Sequence, residues 1–317
     1  MRKLFISLVG IALLIGLLAG SYRNALGSRE PAKAPSPAPV KANPNPNPNR
    51  NRAPTPAAAV QPERRPITIE AYEPERHIPN VEPVPILMYH EIGDNPSQLY
   101  VSRENFQAQM KYLKDNGYHT VTLDQIYRHF ESQERLPPKP VAVSFDDGYR
   151  TIYTEVYPVF KQYGFVGTFF VFPEAFGRPN YVTWDQVIEM SRAGQSIQSH
   201  TRGHVDLTRS SDPQWRKDQL VGSKGLLEQK LGQKVNFLAY PGGFYNRTVM
   251  EATRQSGYLA AVTTEEGWAS GLDNRYAWKR VRVFRRETVS SLAHKLQSPN
   301  YARTPRVIKV RRNVVTD

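Results

Sequence analysis

VAVSFDDGYR, residues 141–150, is an apolar run that stops on two adjacent aspartates and a glycine. Such a run reads as a strand buried on both faces. Two carboxylates at its end are costly to remove from water unless a cation meets them there. The remainder of the chain has to supply both the fold around that strand and the cation.

Short apolar runs alternate with amphipathic stretches from residue 84 onward. Strands are expected at VPILMYH (84–90), HTVTL (119–123), PVAVSF (140–145), GTFFVF (167–172), QSIQSH (195–200), NFLAYP (236–241) and LAAVTT (259–264). Helices are expected at 102–116, 123–133, 150–163, 183–193, 212–231 and 246–256. Ser102, Thr183 and Asn246 stand where N-caps belong, and Gly117, Gly164, Gly194, Gly232 and Gly257 follow the helix ends. Strands alternating with helices imply parallel pairing, and closure removes the sheet edges. The fold class is therefore α/β, a (β/α) barrel of about seven parallel strands forming a single catalytic domain, with a doubly wound open sheet as the competing architecture.

In either architecture chemistry collects at the carboxyl ends of the strands. His90 ends the first expected strand, Asp146 and Asp147 follow the third, His200 ends the fifth, and Tyr240-Pro241-Gly242-Gly243 closes the sixth. In SHTRGH, residues 199–204, His200 and His204 have a spacing at which two imidazoles can share one ion. Thr201 occupies the place where a helical zinc-protease motif needs Glu, which disfavours that class. The chain has no cysteine, so a third ligand must be oxygen or another histidine, and an aspartate of the Asp-Asp-Gly turn is the natural candidate. Two imidazoles and a carboxylate leave a position for water, as catalytic rather than structural sites do. One aspartate can then bind the ion while its neighbour takes a proton. Taken singly, Asp-Asp-Gly is a turn, the two histidines are loop residues and Tyr-Pro-Gly-Gly is a loop. Their joint placement at strand ends is what points to chemistry.

Composition sets the surroundings. Residues 4–20 form an uncharged apolar run behind Met1-Arg2-Lys3, so residues 1–25 read as a signal peptide or N-terminal membrane anchor, and the protein as exported to the cell envelope. Residues 26–83 read as a Pro-rich disordered linker: 15 of the 26 prolines fall within 31–85. Extended at ~3.1 Å per residue, it would reach on the order of 150 Å. The net charge of +13 is concentrated at the ends, with 11 Lys/Arg against 5 Asp/Glu in 1–80, and 5 against 1 in the basic tail 298–317. That distribution favours anionic lipid or wall polymers over a nucleic acid, for which no motif is present. A monomer is expected.

VSFDDGY, SHTRGHVDL and FLAYPGG resemble the leading motifs of the polysaccharide deacetylases, carbohydrate esterase family 4, over about residues 84–297. The opening PILMYHEI is similar to the subgroup of poly-N-acetylglucosamine deacetylases. The resemblance implies a distorted (β/α) barrel holding a divalent metal, commonly zinc, and removal of acetyl groups from an N-acetylated polysaccharide. It implies Asp146 as general base, Asp147, His200 and His204 as metal ligands, and His90 as the acid that protonates the departing amine. The family's Arg-x-Pro-Tyr motif appears here as Ala239-Tyr240-Pro241-Gly242, without the arginine. Gly242 and Tyr240 are candidates for holding the oxyanion or substrate, Trp184 for stacking on a sugar, and Arg280, on charge type alone, for standing beside Asp146. His294, in Ser-Leu-Ala-His, is a reserve acid expected on the surface. The competing function is a glycan-binding protein that keeps the fold without catalysis.

Overall fold

The computed structural model describes residues 80–302. The segments read from sequence as signal or anchor, most of the linker and most of the basic tail lie outside the described residues. In chain order the strands are β1 (Ile86–Tyr89), β2 (Glu91–Ile92), β3 (Tyr100–Val101), β4 (His119–Thr120), β5 (Pro140–Phe145), β6 (Thr168–Val171), β7 (Ser196–Ser199), β8 (Phe237–Ala239), β9 (Ala260–Glu266) and β10 (Trp278–Arg282). The helices are α1 (Arg103–Asp115), α2 (Leu123–Phe130), α3 (Tyr157–Tyr163), α4 (Trp184–Arg192), α5 (Pro213–Leu231), α6 (Arg247–Gln255) and α7 (Val289–Lys295).

Seven parallel strands close on themselves in the order β1-β10-β9-β8-β7-β6-β5, because β1 pairs with β10 on one side and β5 on the other. The expected barrel is present, but one of its expected staves is not. HTVTL yields only β4, which pairs with the first two residues of β5 (His119↔Pro140, Thr120↔Val141), while β6 pairs further along at Ser144↔Thr168. The seventh stave is WKRVR, β10, which was not expected as a strand. With three basic residues in five it does not read as an apolar run, yet Trp278, Arg280 and Val281 are all buried.

Alternation along the strands explains the two hydrophobic clusters. Ile86, Ala142, Phe170, Phe237, Ala239, Ala260, Val262 and Trp278 belong to one, which fills the barrel, and α2 adds Leu123, Ile126 and Phe130 to it. Their strand neighbours Leu87, Val143, Phe169, Leu238, Tyr240, Ala261 and Val281 belong to the other, beneath the outer helices. By the same alternation Ser144, Arg280 and the position after Phe145 face inward. The helices are fixed by local chemistry at their ends. Ser102, Thr183 and Asn246 accept backbone N–H bonds at the starts of α1, α4 and α6, and Gly164 and Gly232 close α3 and α5 in left-handed backbone.

Phe145 shows how the site strand is anchored. Its ring stacks on Tyr89 and Phe169 at 5.3 and 5.2 Å between centroids, and meets Phe106 of α1 and Phe160 of α3 edge-on. Truncating a fully buried phenylalanine typically costs about 3–5 kcal/mol. Phe145→Ala is expected to lower unfolding stability by that amount, and Phe145→Leu by clearly less. Equal losses in urea titrations of the two variants would show that the ring contacts do not anchor the strand.

Candidate metal centre and active site

The backbone after β5 turns sharply. Asp146 still follows the strand, its N–H donating to the Tyr89 carbonyl at 3.0 Å. Asp147 and Gly148 then take left-handed φ values of 73° and 69°. At residue 148 a Cβ would lie 3.2 Å from the Val171 side chain, so the turn needs glycine there. This backbone reversal separates the two carboxylates: Asp146 points into the barrel while Asp147 turns across its mouth. On the far side His204 also has a left-handed φ, 55°. Left-handed backbone costs an ordinary residue about 1–2 kcal/mol; Asp147 is buried where it adopts it, while His204 does so on the exposed side of the mouth.

Asp147 Oδ1 lies 3.2 Å from His200 Nε2 and 3.0 Å from His204 Nε2. One donor atom from each of the three residues falls within 4.8 Å of the others. His200 is buried, and its Nδ1 is 2.7 Å from the Ala239 carbonyl. A carbonyl only accepts, so Nδ1 carries the proton and, in the neutral ring, Nε2 presents a lone pair to a carboxylate oxygen. Two acceptors at that distance repel unless a cation or proton lies between them. Burial works against the charge of Asp147, but bonds from the two imidazoles outweigh it and push its pKa well below the carboxylate range. Burial likewise opposes protonation of His200, yet Asp147 and then Asp146 raise its pKa above the ordinary imidazole value. The donor set, two imidazoles and one oxygen with an open side, fits a divalent ion.

Asp146 has a different partner. Arg280 donates from Nη1 to Oδ1 and from Nη2 to Oδ2, both at 2.7 Å, while its Nε donates to the Thr263 carbonyl at 2.8 Å and Nη1 reaches Ser144 Oγ at 3.2 Å. Ser144 in turn donates to the Leu87 carbonyl. Arg280 is wholly buried and Asp146 nearly so. Burial raises the cost of ionising Asp146, but the adjoining guanidinium outweighs it and the pKa falls below the usual value. His90 Nε2 stands 4.0 Å from Asp146 Oδ2. Burial holds His90 below the ordinary imidazole pKa even against the pull of both aspartates.

The other residues offered by the sequence are placed as follows. Gly242 is at the mouth with φ 64°, and its neighbour Gly243 is so close to Thr264 that a Cβ would lie 2.0 Å from the hydroxyl. Tyr240 is packed in the core instead of facing the site: alternation turns it outward, its ring stacks on Tyr245 and its hydroxyl donates to the Tyr276 carbonyl. Trp184 is likewise engaged in packing, edge-on to Phe176 with Lys230 over its ring. His294 is exposed on α7. An aromatic wall was not foreseen. Phe172 lies 5.2 Å from the His204 ring and edge-on to Tyr181, which stacks on Tyr149. Phe172 could have been found from its place at the end of the GTFFVF run; Tyr181, in a loop, gave no signal.

A parallel seven-stranded barrel with two histidines and paired aspartates at its carboxyl mouth is the arrangement of a deacetylase-type hydrolase. Residues 133–261 match the polysaccharide deacetylase family model. The chain is 36% identical over 227 residues to YxkH of Bacillus subtilis, a candidate polysaccharide deacetylase, covering 70% of this chain and 81% of that one. It is 24% identical over 196 residues to the poly-beta-1,6-N-acetyl-D-glucosamine N-deacetylase of Staphylococcus aureus, covering 58% of this chain and 67% of that one. The structure of the deacetylase PplD of Streptococcus pyogenes, solved with acetate, superposes with a TM-score of 0.66 at 30% identity, over 69% of this chain and all of that one, 100%. The chain belongs to the polysaccharide deacetylase family, and it is an enzyme of that type.

Removing one partner of a buried ion pair typically costs about 3–5 kcal/mol. Arg280→Met is expected to lose that much stability at pH 7. A depressed carboxylate pKa adds stability above its unfolded value that is lost as pH falls through the folded one. The deficit of Arg280→Met should therefore shrink as the solution is acidified towards pH 4 and below. A deficit independent of pH in urea titrations would exclude the ion pair as its source.

Proposed function

We propose that this protein removes N-acetyl groups from N-acetylglucosamine units of a polysaccharide outside the cytoplasm, poly-N-acetylglucosamine or peptidoglycan, using a divalent ion, most simply zinc. The observation that carries the reading is the division of labour between neighbouring carboxylates: Asp147 faces two imidazole nitrogens, and Asp146 faces an arginine. Asp147, His200 and His204 would hold the ion, which when bound lowers the pKa of water and polarises the amide carbonyl.

The chain's own residues supply the rest. Asp146 is kept ionised at neutral pH by Arg280 and is the group that takes a proton from the attacking water. Arg280 fixes both carboxylate oxygens, so the base is oriented before substrate arrives. His90 is neutral at rest, since burial lowers its pKa. At 4.0 Å from Asp146 Oδ2 it is placed to receive the proton the base has gained and pass it to the departing amine. The backbone at Gly242, which carries no side chain, borders the place where charge grows on the carbonyl oxygen. Tyr149 and Tyr181, partly exposed and backed by the buried Phe172, provide apolar faces for a pyranose ring. The poly-N-acetylglucosamine deacetylase among the relatives and the N-terminal apolar run support an extracellular polymer as substrate.

The purified protein should release acetate from at least one of poly-N-acetylglucosamine, peptidoglycan and chitin oligomers, and lose the activity to a chelator. Asp147→Ala and His200→Ala should lose bound zinc together with the rate. Asp146→Asn should keep its zinc while turnover falls on the order of 10²- to 10⁴-fold, the usual contribution of a positioned base. Undiminished turnover in Asp147→Ala, measured beside metal content, would remove the ligand assignment.

A further inference from the structure

The segment following β7, the start of α5 and the length of α6 line a groove of about 1200 Å³. Both its walls continue site loops: Leu207 is three residues beyond His204, and Asn246 three beyond Gly243. Arg209, Arg216, Lys217 and Arg247 line the groove against a single carboxylate, that of Glu251, which Arg254 already occupies at 2.6 Å. Arg209 is paired with Asp206 at 3.2 Å, but among the described residues Arg216, Lys217 and Arg247 have no carboxylate within 4.0 Å.

Arg216 is the informative one. Only 7% of it is exposed, and its bonds go to carbonyl oxygens, those of Leu207 and Ser210. A guanidinium this buried ordinarily faces a carboxylate, because carbonyl dipoles orient the charge without cancelling it. Here the charge lines an open groove beside the N-terminus of α6, capped by the neutral Asn246, while the N-terminus of α5 already carries the Asp212 carboxylate. We propose that this groove binds anionic substituents, carboxylate or phosphate, of the polysaccharide strand whose acetylated unit occupies the metal centre. The inference rests on the deacetylase reading for what lies at the mouth, and that setting favours an acidic glycan over a nucleic acid as the occupant.

The test uses the full chain, so the basic tails are the same in every protein compared. Lys217→Glu with Arg247→Glu reverses two exposed charges, and a glutamate in the first turn of α6 suits the helix. Affinity for polygalacturonate, a polyuronate probe, should fall about tenfold in low salt, and the difference should narrow as salt is added. Turnover of the neutral N-acetylglucosamine pentamer should stay unchanged. Unaltered polygalacturonate affinity in the double variant would overturn the proposal, as would a loss confined to an oligo-dT probe. Polygalacturonate binding without acetate release from any glycan would instead strike at the deacetylase reading and leave the groove standing.

Discussion

A wholly buried guanidinium and an almost wholly buried carboxylate, joined by two bonds of 2.7 Å, are the constraint on which the site depends. Neither charge is tolerable alone at that depth. Together they cross the barrel interior from β10 to the end of β5, and Arg280 also fastens to the Thr263 carbonyl of β9 and to Ser144. The pair is therefore a structural brace and an electrostatic setting at once. It sets the protonation of Asp146 and fixes which way its oxygens face.

Asp147 obeys a different rule. One residue on, the left-handed turn through Gly148 takes it away from the arginine and towards two imidazole nitrogens. Adjacent residues of the same type thus meet different partners because the backbone reverses between them. His200 is held in one tautomer by the Ala239 carbonyl, so the nitrogen facing Asp147 is fixed by a strand on the other side of the mouth.

Much of this was legible in the chain. Six of the seven staves announced themselves as apolar runs, and the rule that chemistry gathers at strand carboxyl ends brought His90, the aspartates and the histidines to one mouth. β10 was hidden because its lumen position is filled by arginine, a residue that hydrophobic patterning counts against burial; only the need of Asp146 for a partner hinted at it. The same patterning contained an unused clue about Tyr240. With Ala239 inside the barrel, strand alternation requires Tyr240 outside, where it packs under the helices. The aromatic wall was only partly legible: Phe172 ends an apolar run, but Tyr181 sits in an irregular loop whose contacts with Phe172 and Tyr149 no periodic pattern encodes.

The closing stave has a consequence for the order in which the molecule comes into being. Residues 278–282 lie near the end of the barrel sequence, and chains are synthesised and threaded from the other end. Until β10 arrives, β1 lacks one neighbour and Asp146 has no guanidinium, so His90, Asp147, His200 and His204 all precede the piece that orients Asp146. A chain that ends before residue 278 holds the polar residues of the mouth without the guanidinium that orients Asp146.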